Sequence, residues 1–195
     1  MIAVIDYGAG NLQSVKNSLD RLGFPSIITS EREQILKADK LIFPGQGHFG
    51  ACVQTLKERD LFDLLKEQAC AKPFLGICLG MQLLFEKSEE APTVQGLGIL
   101  KGEVKRLGPR QKLPLMGWNL VQSKRTLFDG RWFYFAHSYY CLPENEAYIA
   151  ACSFYGMPYV CAVQRGQLLA VQFHPEKSGP AGMQLLKAFA KGDLC

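Results

Sequence analysis

The sequence predicts an α/β fold in which a mostly parallel central sheet has helices on both faces and carries an antiparallel β extension. Two observations lead to this prediction. Short apolar runs typical of buried strands alternate with helical runs through the first half of the chain. The second half contains closely spaced strand-like segments joined by short turns. Because 195 residues are enough for one large core and no linker or repeat interrupts them, we expect a single domain over residues 1–195.

The first half supplies the parallel strands and the helices that connect them. The alternation continues to a strand that ends at Cys78, and a helix is expected to begin directly after it. Glycine closes the first helix, and a break near Asp60 divides the second helical stretch. The predicted strands are IAVIDY (2–7), PSIIT (25–29), KLIFPG (40–45) and KPFLGIC (72–78), and the predicted helices cover 11–23, 49–68 and 79–88.

The second half is predicted to add further strands and one last helix. Segments rich in aromatic and β-branched residues are separated by turn residues, which is typical of antiparallel strands. QRGQ at 164–167 indicates a hairpin turn. The predicted strands are GEVKRL, MGWNLVQ, RWFYFAHSYY, AYIAACSFYG, YVCAVQRG and LLAVQFHP, and the helix is GPAGMQLLKAFAKG (179–192).

Composition and charge exclude several classes of function. The 22 basic residues exceed the 18 acidic residues only slightly and are scattered, so nucleic-acid binding is not expected. The most apolar stretch, at 73–85, is too short to span a bilayer, so no membrane segment is expected. The start of the chain lacks the features of a signal peptide, which predicts a soluble, cytoplasmic protein with reduced cysteines. The three histidines and seven cysteines show no metal-ligand spacing, so no metal is expected.

Two short motifs predict a nucleophile and its base. GICLG at 76–80 places Cys78 between a strand and a helix, which is the form of a nucleophile elbow. A strained turn there would project the thiol, and a helix N-terminus would favour the thiolate. QFHPEKS at 172–178 holds His174 and Glu176 two residues apart after an apolar strand, so both side chains are expected on one side. These motifs predict a triad in which Glu176 orients His174 and His174 activates Cys78.

An acyl-enzyme reaction also needs donors for the developing oxyanion. The turn FPGQGHFG at 43–50 follows the third strand and can direct backbone N–H groups into the site. Gln46 and Gly47 are the donors predicted in this turn, and Leu79, next to the nucleophile, is the other. Glycine at 45 and 47 would allow a peptide to flip at small cost, so that the donor could be switched.

Taken together, these motifs resemble those of the class I (triad) glutamine amidotransferases. The elbow and the HPE run are shared by the whole family, and matching motifs run from one end of the chain to the other. DYGAGN (6–11), MGWN (116–119) and HPEKS (174–178) are more specific to subunits that supply ammonia to a synthase partner. The resemblance implies a flavodoxin-like core, no cofactor, and attack by Cys78 on the side-chain amide of L-glutamine to give a glutamyl thioester.

The resemblance also implies roles for residues around the triad and a partner for the chain. That partner is a cyclase subunit of (β/α)8-barrel fold, which would form a heterodimer with this chain and use the ammonia. The residues implied in glutamine binding are Gly45, Gly47, Gln82, Glu90, His137, Ser138 and Tyr139. Those implied at the partner interface are Asn11, Trp118, Tyr134 and Lys177. One departure is Gln46, where the family usually has valine, and this departure concerns regulation rather than chemistry.

Two other classes of protein fit part of the sequence. A different cysteine enzyme on a similar sheet, such as the glutaminase subunit for pyridoxal phosphate synthesis or a thiol hydrolase, would share the triad but leaves MGWN and HSY unexplained. Within the amidotransferase interpretation, a paralogue that supplies another synthase would also keep the same triad. A flavodoxin-like module with GAGN as a phosphate loop and Cys78 as a redox sensor leaves His174 and Glu176 unexplained, and GAG matches the dinucleotide motif poorly.

In the enzyme interpretation the other cysteines are dispensable for chemistry: Cys52, Cys70, Cys141, Cys152, Cys161 and Cys195.

Overall fold

A computed structural model describes residues 1–108 and 111–193, which form one twelve-stranded sheet and six α-helices. The strands are β1 (Ile2–Ile5), β2 (Ser26–Thr29), β3 (Lys40–Gly45), β4 (Phe74–Cys78), β5 (Lys87–Ser88), β6 (Gly102–Arg106), β7 (Leu115–Gln122), β8 (Arg131–His137), β9 (Tyr139–Pro143), β10 (Ile149–Phe154), β11 (Pro158–Arg165) and β12 (Leu168–Val171). The helices are α1 (Leu12–Arg21), α2 (Arg32–Lys37), α3 (Phe49–Glu58), α4 (Phe62–Ala71), α5 (Leu79–Gln82) and α6 (Gly179–Lys191). The main path through the sheet is β2-β1-β3-β4-β12-β11-β10-β7-β8, and β5, β6 and β9 form a side ladder that joins it at β11.

The parallel part of the sheet is covered on both faces, as predicted. β2, β1, β3, β4 and β12 pair in parallel. Side chains of β1 alternate between two hydrophobic clusters, because successive residues of a strand point to opposite faces. Ala3 and Ile5 share a cluster with α2, α3 and α4, whereas Ile2 and Val4 share one with α1 and α6. Burial on both faces explains why these strands are continuous apolar runs.

The antiparallel extension begins at β12, which pairs in parallel with β4 and antiparallel with β11. A tight turn with Gly166 at φ +57° joins β11 to β12, so the predicted hairpin is confirmed. β10, β7 and β8 continue the sheet with antiparallel pairing. Both parts of the predicted fold class are therefore confirmed. No helix among the described residues is long and apolar enough to cross a membrane.

Two local predictions differ from the structure. The helix predicted over 79–88 is the single turn α5, because carbonyl groups of residues 83–85 accept hydrogen bonds from N–H groups of residues 97–100. The chain then enters β5, which pairs with β6. Residues 32–37 form α2, which was not predicted: the six-residue helix buries only Ile35 and so shows little apolar periodicity.

Two adjacent parallel strands, β3 and β4, end at one edge of the sheet, and their backbones approach α5 very closely. Gly45 of β3 is in register with Cys78 of β4. A Cβ atom on Gly45 would lie 2.6 Å from the Gly80 nitrogen, and one on Gly76 would lie 2.8 Å from the Gly80 carbonyl oxygen. A Cβ atom on Gly80 would overlap the Phe43 carbonyl oxygen. The three glycines therefore let one helical turn rest directly on two strands.

We predict that Gly80→Ala destabilises the protein by about 3 kcal/mol or more, because the added methyl group meets rigid backbone. The free energy of unfolding in urea measures this loss. Gly23→Ala is the matched control: Gly23 has φ +76° with open space around its Cβ position, so only backbone strain of about 1–2 kcal/mol is expected. Equal losses for the two variants would contradict the packing explanation.

Candidate active site

Cys78 lies in the sharp turn between β4 and α5, where the sequence predicted a nucleophile elbow. Its φ is +56° and its ψ is −110°, an unfavourable conformation for a residue with a Cβ atom that costs about 1–3 kcal/mol. The side chain is 6% exposed and lines a cavity at the sheet edge. Because α5 has a single turn, a helix dipole contributes little to thiolate stability. The side chains around the thiol are therefore the groups that influence its reactivity.

His174 and Glu176 contact each other, but not for the reason that the sequence suggested. His174 Nδ1 lies 2.9 Å from Glu176 Oε1, and both side chains are buried. β12 ends before His174, and a 3-10 helix over Pro175–Lys177 begins after it. The two side chains therefore meet across a helical turn rather than by alternation along a strand. The turn is anchored because the His174 N–H donates to the Tyr134 carbonyl at 2.9 Å and the Ser178 hydroxyl donates to the His174 carbonyl at 2.6 Å.

The surroundings of His174 favour its protonated form. Burial alone lowers the pKa of His174, but the hydrogen bonds and charges of Cys78 and Glu176 outweigh burial and raise this pKa to about 10. Since Nδ1 faces Glu176, Nε2 is the nitrogen left to interact with the sulfur. An imidazolium beside a thiolate can donate its proton to a leaving group.

Two buried glutamines continue the polar network on the other side of the thiol. Gln172 Nε2 lies 3.6 Å from Cys78 Sγ, and Gln82 Nε2 donates to Gln172 Oε1 at 3.1 Å and to the Tyr139 carbonyl at 3.2 Å. Sequence reasoning missed Gln172, although its position two residues before His174 in the same motif was a usable signal. Gln82 lines the cavity, as expected for a glutamine-binding residue, but both N–H groups of its amide already have acceptors. Only its carbonyl oxygen is left for a ligand.

The cavity beside Cys78 has a volume of about 400 Å³, sufficient for a small amino-acid ligand. The predicted site residues that line it are Gln46, Gly47, Cys78, Leu79, Gln82, Glu90, His137, Ser138, Tyr139, His174 and Lys177. Gly45 is buried beneath the turn, and Glu176 lies behind His174. The described residues contain no group of three or more His, Cys, Asp or Glu side chains arranged to hold a metal ion.

The predicted oxyanion donors lie at the cavity, but one of them is engaged elsewhere. The Gln46 N–H donates to the Tyr7 hydroxyl at 3.0 Å, and the same hydroxyl donates to the Gln46 carbonyl at 3.2 Å. Leu79, the first residue of α5, directly follows the nucleophile. The structure therefore has the turn in an arrangement where the Gln46 N–H does not face the substrate position. Sequence reasoning did not predict the contact with Tyr7.

Glu90 joins the cavity to the start of α3. Its Oε2 accepts a hydrogen bond of 2.6 Å from the Phe49 N–H, while its own N–H donates to the Ser88 hydroxyl at 3.2 Å. These contacts fix a half-buried carboxylate at the cavity wall. A carboxylate in this position can bind the ammonium group of an amino acid.

His137 is a neutral side chain in the cavity wall. Its Nδ1 lies 2.7 Å from the Tyr139 carbonyl oxygen, which can only accept, so Nδ1 carries the proton. Its Nε2 is buried and finds no hydrogen-bond partner among the described residues. Burial lowers the pKa of His137 to about 4. At neutral pH His174 is therefore protonated, whereas His137 is neutral.

Comparison with known proteins identifies the family. The model of the family described as glutamine amidotransferase class-I matches residues 3–192. The chain belongs to the class I glutamine amidotransferase family.

Relatives of the amidotransferase include proteins named imidazole glycerol phosphate synthase subunit HisH. The one from Bacillus cereus (strain G9842) is 47% identical over 97% of this chain and 93% of its own length. The one from Moorella thermoacetica is 46% identical over 97% and 94%. HisH 1 of Methanococcus maripaludis is 41% identical over 98% and 99%.

Solved structures agree on the fold of this amidotransferase. A crystal structure of a glutamine amidotransferase superimposes with a TM-score of 0.79, over 98% of this chain and all of the other, at 19% identity. PurLQS from Thermotoga maritima gives a TM-score of 0.71 over 100% and 98%, at 15% identity. At these identities the likeness concerns the fold alone. The HisH relatives, in contrast, place the amidotransferase in the HisH group, so the family predicted from the motifs is confirmed.

Contacts in the structure link the four residues predicted at a partner interface to one another or to Glu176. Asn11 Nδ2 lies 3.4 Å from Glu176 Oε1. The Lys177 ammonium lies 5.9 Å from the centre of the Tyr134 ring, which packs edge-on against Trp118 at 6.2 Å. Asn11 therefore contacts Glu176 directly, and the other three residues adjoin it through Lys177, the next residue in the chain.

The remaining described cysteines differ from Cys78 in their surroundings. Burial raises the pKa of Cys52 to about 12 and also raises the pKa values of Cys141, Cys152 and Cys161. These thiols therefore stay protonated and are weak nucleophiles at neutral pH. Cys70 is exposed, and Cys195 lies outside the described residues. That all six are dispensable for catalysis stays a prediction.

We predict that His137 makes the protein less stable in acid. The pKa of His137 is near 6.5 in the unfolded chain and about 4 in the fold. Its contribution to the free energy of unfolding is therefore present above pH 6.5 and is lost as pH falls towards 4. The loss amounts to roughly 3 kcal/mol over this window. His137→Asn keeps a donor for the Tyr139 carbonyl but does not titrate, and it should flatten the dependence of the urea-unfolding free energy on pH.

His174 does not interfere with this measurement. Because the pKa of His174 is raised, its contribution is fully present below pH 6.5 and is lost only as pH rises through about 10. A wild-type slope between pH 4 and 6.5 that survives in His137→Asn would contradict the prediction.

Proposed function

We propose that the amidotransferase is the glutaminase subunit of an imidazole glycerol phosphate synthase and that Cys78, His174 and Glu176 hydrolyse L-glutamine to glutamate and ammonia. The observation that carries the proposal is the buried contact between His174 and Glu176 beside a strained cysteine in one cavity. Sequence identities of 41–47% to HisH subunits support the choice of synthase. Free thiols among the described cysteines agree with a reducing compartment, so we also propose a cytoplasmic location.

The reaction proceeds through two acyl transfers. The Cys78 thiolate attacks the side-chain carbonyl carbon of glutamine, and the carbonyl electrons move onto oxygen. When the tetrahedral intermediate collapses, the C–N bond breaks and His174 Nε2 gives its proton to the leaving ammonia. Water, deprotonated by His174, then attacks the thioester, and Cys78 leaves as a thiolate beside the reprotonated imidazole. The net change is glutamine plus water to glutamate plus ammonia.

Substrate is held by groups already present in the cavity. Glu90 binds the α-ammonium group, and the Gln82 carbonyl and the backbone of residues 137–139 bind the remaining polar groups of glutamine. Glu176 holds His174 in the orientation that presents Nε2 to the sulfur. Gln172 donates to the sulfur and stabilises its negative charge.

The partner in this proposal is a cyclase subunit of (β/α)8-barrel fold, which uses the ammonia to form imidazole glycerol phosphate and an aminoimidazole carboxamide ribonucleotide in histidine biosynthesis. Its docking surface is the outer face of the β7–β8 pair, where Trp118 is opposite Tyr134 and Leu120 is opposite Trp132. Met116, Trp118, Leu120 and Trp132 are exposed by 66%, 51%, 38% and 55%. Apolar side chains exposed together in this way are typical of an interface. Met116 also lines the cavity, so ammonia is released next to this face.

We predict that Cys78→Ser abolishes glutamine hydrolysis by the complex, because the Cys78 thiol is the group that forms the thioester in the proposed mechanism. His174→Ala should lower kcat by about a thousandfold or more, and Glu176→Gln by less, because Glu176 orients the base but does not touch substrate. Release of glutamate measures each rate. Circular dichroism and binding to the cyclase subunit control for folding. Near-normal hydrolysis by Cys78→Ser would rule out the proposed triad.

A further prediction is that the isolated chain hydrolyses glutamine poorly and that the cyclase subunit with its nucleotide accelerates it steeply. One missing oxyanion donor costs about 2.7–4 kcal/mol, roughly a hundred- to a thousandfold in rate, and the Gln46 N–H is bonded to Tyr7. Trp118→Ala should shift the activation to higher partner concentration without changing the rate of the free chain. Equal rates with and without partner and nucleotide would show that the site is already active.

A further inference from the structure

Tyr7 connects the first strand to the turn that carries the predicted oxyanion donor. It follows β1 in the chain, is 2% exposed, and packs its ring edge-on against Phe43 of β3 with 5.4 Å between ring centres. Its hydroxyl accepts the Gln46 N–H at 3.0 Å and donates to the Gln46 carbonyl at 3.2 Å. Burial raises the pKa of Tyr7, so the hydroxyl stays protonated and can make both bonds at neutral pH.

These two bonds act on consecutive peptide groups. The N–H belongs to the peptide between Gly45 and Gln46, and the carbonyl belongs to the peptide between Gln46 and Gly47. Rotation of either peptide group breaks a hydrogen bond to Tyr7. Gln46 and Gly47 are exposed, and Gly47 has φ +101°, so close packing does not hold them in place. The buried tyrosine is therefore a rigid anchor for a turn that could otherwise move.

The direction of the Gln46 N–H matters because the turn separates two cavities. Gln46 lines both the cavity of Cys78 and a second one of about 460 Å³, whose wall includes Tyr7. Tyr7 does not line the cavity of Cys78. Gly45, the residue before Gln46, is in register with Cys78, so rotation of the next peptide would bring its N–H towards the nucleophile.

We infer that Tyr7 is a positioning residue that holds Gln46 in a resting conformation and thereby suppresses glutamine hydrolysis until a partner docks. The inference rests on the proposed glutaminase function. Tyr7 and Asn11 belong to the same loop between β1 and α1, and Asn11, which contacts Glu176, is one of the residues expected at the partner interface. Displacement of this loop at Asn11 would pull the tyrosine away from the turn and free the donor.

The test is Tyr7→Phe, which keeps the ring and removes the hydroxyl. In the isolated chain we expect kcat for glutamine to rise about tenfold, while the rate of the complex with nucleotide changes less than twofold. Glutamate γ-semialdehyde, which forms a tetrahedral adduct with a cysteine, should bind the isolated variant about tenfold more tightly, because its oxyanion uses the freed donor. Affinity for L-glutamate, which forms no such adduct, should stay unchanged. A general structural effect would change both affinities.

Tyr155→Phe is the matched control, because Tyr155 also donates its hydroxyl to a backbone carbonyl, that of Lys112 at 2.9 Å, and does not line the cavity of Cys78. It should leave every rate and affinity unchanged. If the wild-type complex hydrolyses glutamine but isolated Tyr7→Phe is no faster than the isolated wild type, the role of Tyr7 is overturned and the glutaminase function stands. If the wild-type complex does not hydrolyse glutamine, both proposals fall.

Discussion

The direct contact of α5 with the backbones of β3 and β4 is the constraint on which the site depends. Glycine at 45, 76 and 80 leaves no Cβ atom between these main chains. Cys78 is consequently held at positive φ beside the end of β3, where the oxyanion turn begins. A single methyl group in this contact would move the nucleophile and the turn together. The position of the thiol is therefore determined by the packing of the sheet edge rather than by a loop.

Features that depend on neighbouring residues in the chain could be predicted from the sequence. The parallel strands, the elbow at Cys78 and the contact of His174 with Glu176 arise from short patterns. The length of α5 could not be predicted, because its end depends on hydrogen bonds from residues 97–100. The bonds of Tyr7 to Gln46 and of Gln172 to the thiol were missed for the same reason. They join distant segments, and although the position of Gln172 in the His174 motif was a usable signal, no local pattern encodes the geometry of either bond.

The different charges of the two buried histidines follow from their surroundings. His174 has a carboxylate and a sulfur as neighbours, which compensate the cost of burying an imidazolium. His137 has only a carbonyl acceptor at Nδ1, and burial dominates, so the ring is neutral. One histidine can thus supply a proton while the other stays neutral in the wall of the same cavity. Two residues of the same type gain different chemistry without any change in their intrinsic properties.

The loop between β1 and α1 contacts both the triad carboxylate and the oxyanion turn. Asn11 reaches Glu176 and Tyr7 reaches Gln46, and between them Gly10 passes close to the Pro44 carbonyl at φ +106°. A displacement at Asn11 can therefore affect the turn without passing through Cys78 or His174. In the proposed switch the position of Cys78, which packing at the sheet edge determines, stays the same, and an electrostatic contribution to the transition state changes. In the proposed function, a substitution in this loop would accordingly alter control by the partner while the order of bond making and breaking stays the same.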